Sequence, residues 1–121
     1  HGHVRDDELA DFYSEADIVV MPSYHETFGI VGLEAIANGC AVVATDVTGF
    51  ALLPGSNEEN GVFVVEDGEN AAETIHRLCA DPDLRHDKQA AREYAEEFTW
   101  NRIAAQYEEV YDGVPLRNEN R

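Results

Sequence analysis

Lysine is almost missing from this chain: among 121 residues, only position 88 is a lysine. Lysine and arginine together number eight, against 25 aspartates and glutamates, and the formal net charge is −17. A nucleic-acid surface needs clustered cations, so nucleic acid is not an expected partner. No apolar run approaches the roughly 20 residues of a membrane-spanning helix, and no basic start followed by an apolar stretch marks a secretory signal. A transmembrane segment is not expected, and the cytoplasm is the expected location. The two cysteines, Cys40 and Cys79, stand far apart without metal-ligand spacing. Both sit in apolar sequence and read as small buried hydrophobes of a reducing compartment; no metal site is expected. The chain opens at His1 without an initiator methionine, in what reads as mid-domain sequence, so a fragment is the expectation.

What is present is enough for a core. The apolar fraction is 44%, ordinary for a globular protein, and the length fits one domain or part of one. So much like charge destabilises a compact state through self-repulsion. At about 1 M salt the Debye length falls to ~3 Å and the repulsion fades. A salt-adapted, halophile-like cytoplasmic protein is therefore expected; the other reading is an ordinary acidic domain.

Residues 6–16 carry Leu9, Phe12, Tyr13 and Ala16 at helical spacing, with acidic residues in the first turn where the helix dipole favours them. ADIVVMPS, 16–23, is a short apolar run closed by Pro22 and reads as a strand buried on both faces. A helix follows over 29–38, with Gly39 at its C-terminal cap, then a second buried strand, CAVVATD, 40–46. Residues 47–60 form a loop with one turn over 50–53, and GVFVV, 61–65, is a third strand. Residues 70–80 make an amphipathic helix with Ala71, Ile75 and Leu78 inward. Asp81-Pro82 starts another that runs to about residue 98. Thr99 caps a last helix on which Trp100, Ile103, Tyr107, Val110 and Tyr111 share one face; Trp100 and Tyr107 read as core. His76 and His86 read as helix-surface residues, and 112–121 as a frayed polar tail after a domain spanning 1–111. Strands alternating with helices predict an α/β fold, a Rossmann-like parallel sheet flanked by helices.

One segment stands out. In HETFGIVGLE, 25–34, Glu26 and Glu34 bracket an uncharged turn where a strand hands over to a helix. In open α/β sheets, ligands sit beyond the carboxyl ends of the strands. Thr27, Phe28, Gly29 and Ile30 would present backbone N–H groups at the helix start, a setting that binds phosphate. Gly29 allows close approach. A carboxylate accepts from two neighbouring hydroxyls, which suits Glu34 to a ribose diol and Glu26 to a second ring. A glutamate at a helix start also has a plainer use, complementing the dipole. His25, next to Glu26, reads as a solvated loop residue.

The surroundings carry a resemblance. Pro22-Ser23, Glu26, Phe28-Gly29, Glu34-Ala35, Ala37, Gly39 and the run Val42, Val43, Ala44, Thr45 resemble, in order, the signature of the group 1 family of retaining GT-B glycosyltransferases. Most of the chain continues it. His1-Gly2-His3-Val4 before Leu9, Tyr13, Ala16 and Asp17 is similar to the family's Gly-x-Val and Leu-x-x-x-Tyr-x-x-Ala-Asp, and FTWNRIAAQYEEVY to its closing helix. The resemblance implies the C-terminal donor-binding half of the GT-B fold, and transfer of a hexose-type sugar from a nucleoside-diphosphate sugar with retention. In it, Glu34 would bind the donor ribose, and Glu26, the candidate catalytic-site residue, would touch the transferring sugar. The amides of Thr27, Phe28, Gly29 and Ile30 would face the sugar and diphosphate, and Val4 and Arg5 would lie near the base. No cofactor is implied; the donor is a substrate.

The departures are specific. Ala41 stands where the family usually has proline, and the family's Gly-Gly-x-x-Glu after the second strand is replaced around Thr48, Gly49 and Leu52, without the glutamate. The family's diphosphate-binding Arg and Lys, and its N-terminal acceptor domain, would lie upstream of position 1. That missing domain is the expected partner and the place of any peripheral membrane contact, and the last helix would cross to it. Alone, the chain is expected to transfer no sugar. Two other readings stay open: a non-catalytic remnant or interaction domain of the same fold, and a sugar-nucleotide epimerase or phosphorylase relative.

Overall fold

The structure is a computed structural model, and it describes residues 2–84 and 87–113. Three parallel strands run in sequential order: β1 (Ile18–Met21), β2 (Ala41–Thr45) and β3 (Val62–Val65). Five α-helices accompany them: α1 (Asp6–Glu15), α2 (Ile30–Ala37), α3 (Gly68–Ala80), α4 (Lys88–Glu96) and α5 (Trp100–Gly113). This is the α/β architecture that the alternating pattern predicts.

The pleat divides the core into two layers. Val42 and Ala44 of β2 face one side, where Tyr13, Met21, Ala35, Ile36, Phe50, Val62, Ala91 and Tyr94 pack. Ala41 and Val43 face the other, with Phe63, Val65, Ala71 and Leu78. Successive strand side chains point to opposite faces, so a strand buried on both must be apolar throughout, and AVVAT of β2 is buried at all five positions. β1 departs from the same expectation: Val20 is 40% exposed and Ile18 and Val19 are half-buried. It is an edge strand, and α3 covers β2 and β3 instead.

Local chemistry sets the helix starts. Asp67 accepts from the Asn70 N–H at 2.9 Å, so α3 begins at Gly68, two residues before the expected start. The single helix expected over 81–98 does not form. Pro82–Leu84 is one 3-10 turn, and α4 opens anew where the Asp87 carboxylate accepts from the Gln89 N–H at 2.7 Å. Residues 85 and 86, including the surface reading of His86, lie outside the described residues, as do His1 and the tail from 114. Asp112 and Gly113, expected in that tail, still belong to α5.

Two burial expectations fail. Cys40 is buried, but Cys79 is exposed, because it follows inward-facing Leu78 by one residue and so turns away from the sheet. Trp100 and Tyr107 are 78% and 60% exposed, and no residue of α5 is buried. The apolar stripe along α5 is real, but nothing among the described residues covers its outer part. No helix among the described residues is long and apolar enough to cross a membrane.

Candidate functional site

The site lies where β1 ends. Thr45 at the end of β2 donates its hydroxyl to the Ser23 carbonyl at 2.6 Å, holding the chain as it leaves β1. Beyond it, Glu26 pairs with Thr48 as an isolated parallel bridge. The Phe50 N–H then donates to the Phe28 carbonyl at 2.6 Å. The loops after β1 and β2 are therefore laced together. Their approach is close enough that a Cβ on Gly49 would stand 2.5 Å from the Thr27 carbonyl oxygen and 3.0 Å from Phe28 Cα.

Gly29 is the N-cap of α2 in the left-handed conformation, φ 84°. A side chain there would be strained, and its Cβ would lie 2.7 Å from Met21 Cε and 3.5 Å from Glu26 Cγ. The stem of Glu26 thus passes beside the helix start. Among the described residues, no acceptor meets the N–H groups of Phe28, Gly29 or Ile30. Thr27 differs: its N–H already donates to Glu26 Oε1 at 2.9 Å. The expected row of four open amides is a row of three, with a carboxylate on the fourth.

Glu34 sits one turn into α2, half-buried. Its Oε2 accepts a hydrogen bond from the Tyr13 hydroxyl at 2.9 Å. Burial, and then Glu34 itself, push the Tyr13 hydroxyl up to about 12, so it stays a donor throughout the neutral range. Sequence reasoning placed Tyr13 on an inward helix face but missed this bond; 21 residues separate the partners, and no local spacing signals it. Glu34 also lines a cavity of about 770 Å³ between α2, Leu53-Pro54 and the start of α5. Phe28 and Ile30 share that cavity, whose other walls include Leu33, Phe98, Trp100 and Ile103. Its size is that of ligand pockets generally.

Val4 and Arg5 are placed elsewhere. Val4 lines a separate hollow of about 480 Å³ on α1, with Glu8, Asp11 and Glu15 around it. Arg5 is exposed; its guanidinium meets Asp7 at 3.0 Å and its backbone N–H donates to Glu8 at 3.1 Å. His25 is exposed, as expected of a loop residue. Among the described residues, no group of three or more His, Cys, Asp or Glu side chains could hold a metal ion.

Known proteins share the sequence and the fold of this chain. D-inositol 3-phosphate glycosyltransferase of Streptomyces bingchenggensis (strain BCW-1) is 41% identical over 109 residues, covering 87% of this chain and 23% of that protein. The protein of the same name from Arthrobacter sp. (strain FB24) is 44% identical over 111 residues, covering 87% of this chain and 25% of its own length. The chain thus spans about a quarter of the length of these curated relatives. Among solved structures, sucrose-phosphate synthase from Thermosynechococcus elongatus superimposes with a TM-score of 0.78 at 34% identity, over 93% of this chain and 29% of that one. WaaG, a glycosyltransferase involved in lipopolysaccharide biosynthesis, gives 0.69 at 27% identity, over 91% of this chain and 30% of that one. These neighbours have the GT-B fold. The family model described as "Glycosyl transferases group 1" matches residues 1–97. With this model covering most of the chain, the chain belongs to the group 1 family of glycosyl transferases.

Proposed function

We propose that this chain forms the donor-binding part of a retaining glycosyltransferase that takes a hexose-type sugar from a nucleoside-diphosphate sugar. The observation that carries the reading is the pairing of Glu34, its carboxylate fixed by Tyr13, with the open amides of Phe28, Gly29 and Ile30 at the start of α2. Amides at a helix start suit a diphosphate, and a carboxylate one turn in suits a ribose diol. The Glu26 stem beside Gly29 suits contact with the transferring sugar. Such a site would act by holding the anomeric carbon in place and by stabilising the departing diphosphate, with no cofactor of its own. Cations for the diphosphate would come from residues upstream of position 1, and the acceptor, with any peripheral membrane contact, from an N-terminal domain across the cleft.

Titrating the chain with nucleoside diphosphates, in about molar KCl to screen its charge, tests this. Saturable binding is expected, and Glu34→Ala should weaken it ten- to a hundredfold, the equivalent of about 1.5–3 kcal/mol for hydrogen bonds to a charged group. Equal binding by the variant and the parent would refute the assignment of Glu34.

The proposal places the protein in a salt-rich cytoplasm. The ion pairs Arg5–Asp7 and Arg77–Glu58 are exposed, and their arginines are already counted in the −17 net charge, so they do little against the repulsion. The melting temperature should therefore rise steadily as KCl is raised from low concentration toward about 1 M. A flat melt across that series would remove the salt adaptation and leave an ordinary acidic domain.

A further inference from the structure

We infer that Tyr13 is a positioning residue for the donor ribose: its hydroxyl, held by α1, fixes the Glu34 carboxylate in the orientation that accepts the ribose diol. The inference rests on the donor-site reading above and adds to it the residue that sets the carboxylate's geometry.

Three observations lead to it. The Tyr13 ring is 8% exposed and packs within the core layer under α2, so its hydroxyl has little freedom to move. The helix that carries it is tied down next to that ring. The Cys40 thiol, at the entry to β2, donates to the Tyr13 carbonyl at 3.2 Å and to the Ala16 carbonyl at 3.4 Å. The Tyr13 hydroxyl donates to a single oxygen of Glu34, Oε2, and among the described residues no protein donor meets Oε1. A carboxylate has about four lone-pair sites and a phenol has one hydrogen to give. The bond therefore orients the group and leaves most of its acceptor capacity open.

Without the phenol, Glu34 would be a half-buried glutamate on a helix surface with three rotatable bonds. A diol would have to order it on binding, at a cost in rotamer entropy that the fixed carboxylate does not incur. Tyr13 itself would not touch the nucleotide. Its effect would appear only for ligands that use Glu34.

The test is a comparison of ligands as well as of variants. The full chain, Tyr13→Phe and Glu34→Ala are each titrated with a ribonucleoside diphosphate and its 2′,3′-dideoxy counterpart by calorimetry in about molar KCl. Each variant's fold is checked by its melt. Phenylalanine keeps the ring, so the core is retained. The parent should prefer the ribose form, and Glu34→Ala should abolish that preference. Tyr13→Phe should cut the preference by up to about tenfold, the cost of ordering one glutamate side chain on binding, while leaving the affinity for the dideoxy form unchanged. A lower fraction of folded protein would weaken both ligands alike and leave the ratio intact. Equal weakening of both ligands, or an undiminished preference, therefore overturns the inference and makes Tyr13 merely structural. A parent chain with no preference, or a Glu34→Ala variant that keeps it, overturns the donor-site reading instead.

Discussion

Phe50→Ala is expected to lower stability by about 3–5 kcal/mol, the usual range for emptying a buried phenylalanine site. At roughly 4 °C per kcal/mol for a domain of this size, the melting temperature should fall by about 12–20 °C. Phe50 is fully buried and is among the largest side chains in the core. Its ring presses against α2: a Cβ on Gly32 would stand 2.5–2.7 Å from three of its carbons. The Phe50 backbone and side chain therefore act together. The N–H holds the Phe28 carbonyl, and the ring holds the helix that Phe28 leads into. Alanine would keep the first contact and lose the second. Since whole domains are stable by only about 5–15 kcal/mol, the variant should be close to unfolding at moderate temperature. A denaturant midpoint within error of the parent's would show that the loop after β2 does not support α2 in this way.

Gly49→Ala should do harm by the opposite route. The added methyl would meet the Thr27 carbonyl oxygen at 2.5 Å and Phe28 Cα at 3.0 Å. Both atoms are backbone, so no rotamer change relieves the overlap. Overpacking of this kind costs about 1–3 kcal/mol, and the loop must move to accommodate it. Movement there displaces Glu26, Thr27 and Phe28, the residues in front of α2. Nucleoside-diphosphate binding should thus fall by more than the stability loss alone explains, and it should fall even in samples shown to be folded. Folded Gly49→Ala that binds like the parent would separate this contact from the site.

Much of the sheet was legible because its strands are apolar runs closed by turn residues, and β2 lies in the middle where such a run must be buried. β1 was overread for the same reason. An apolar run shows that a strand can be covered on both faces, but not that a helix is present to cover it, and Val20 is uncovered. The α5 stripe repeats the lesson, since periodicity identifies a face without identifying what lies against it. The break before α4 had a local signal in Asp87, an N-cap residue ahead of an amphipathic run, but Asp81-Pro82 offered a competing start. Cys79 was decidable from the same helix period that set Leu78 inward. At the site, Glu34 and the amides of α2 were readable because strand end, glycine and helix follow one another in sequence. The Tyr13–Glu34 bond and the Gly49–Thr27 contact join distant segments, and only the folded chain brings them together.

The carboxylate that Glu26 places on the Thr27 N–H makes the helix start self-occupied in one of its four amides. An anion arriving there would not fill a vacancy at that position; it would trade places with one already present. The exchange replaces one charge-assisted hydrogen bond by another of similar strength, so it would contribute little net affinity. What it would yield is a displaced carboxylate. Set free beside Gly29, Glu26 could turn wholly toward a sugar hydroxyl in the proposed donor site, whereas with its amide in place only its second oxygen is open to one. Anchoring of the anion and engagement of the sugar would then be coupled through one side chain, each able to favour the other.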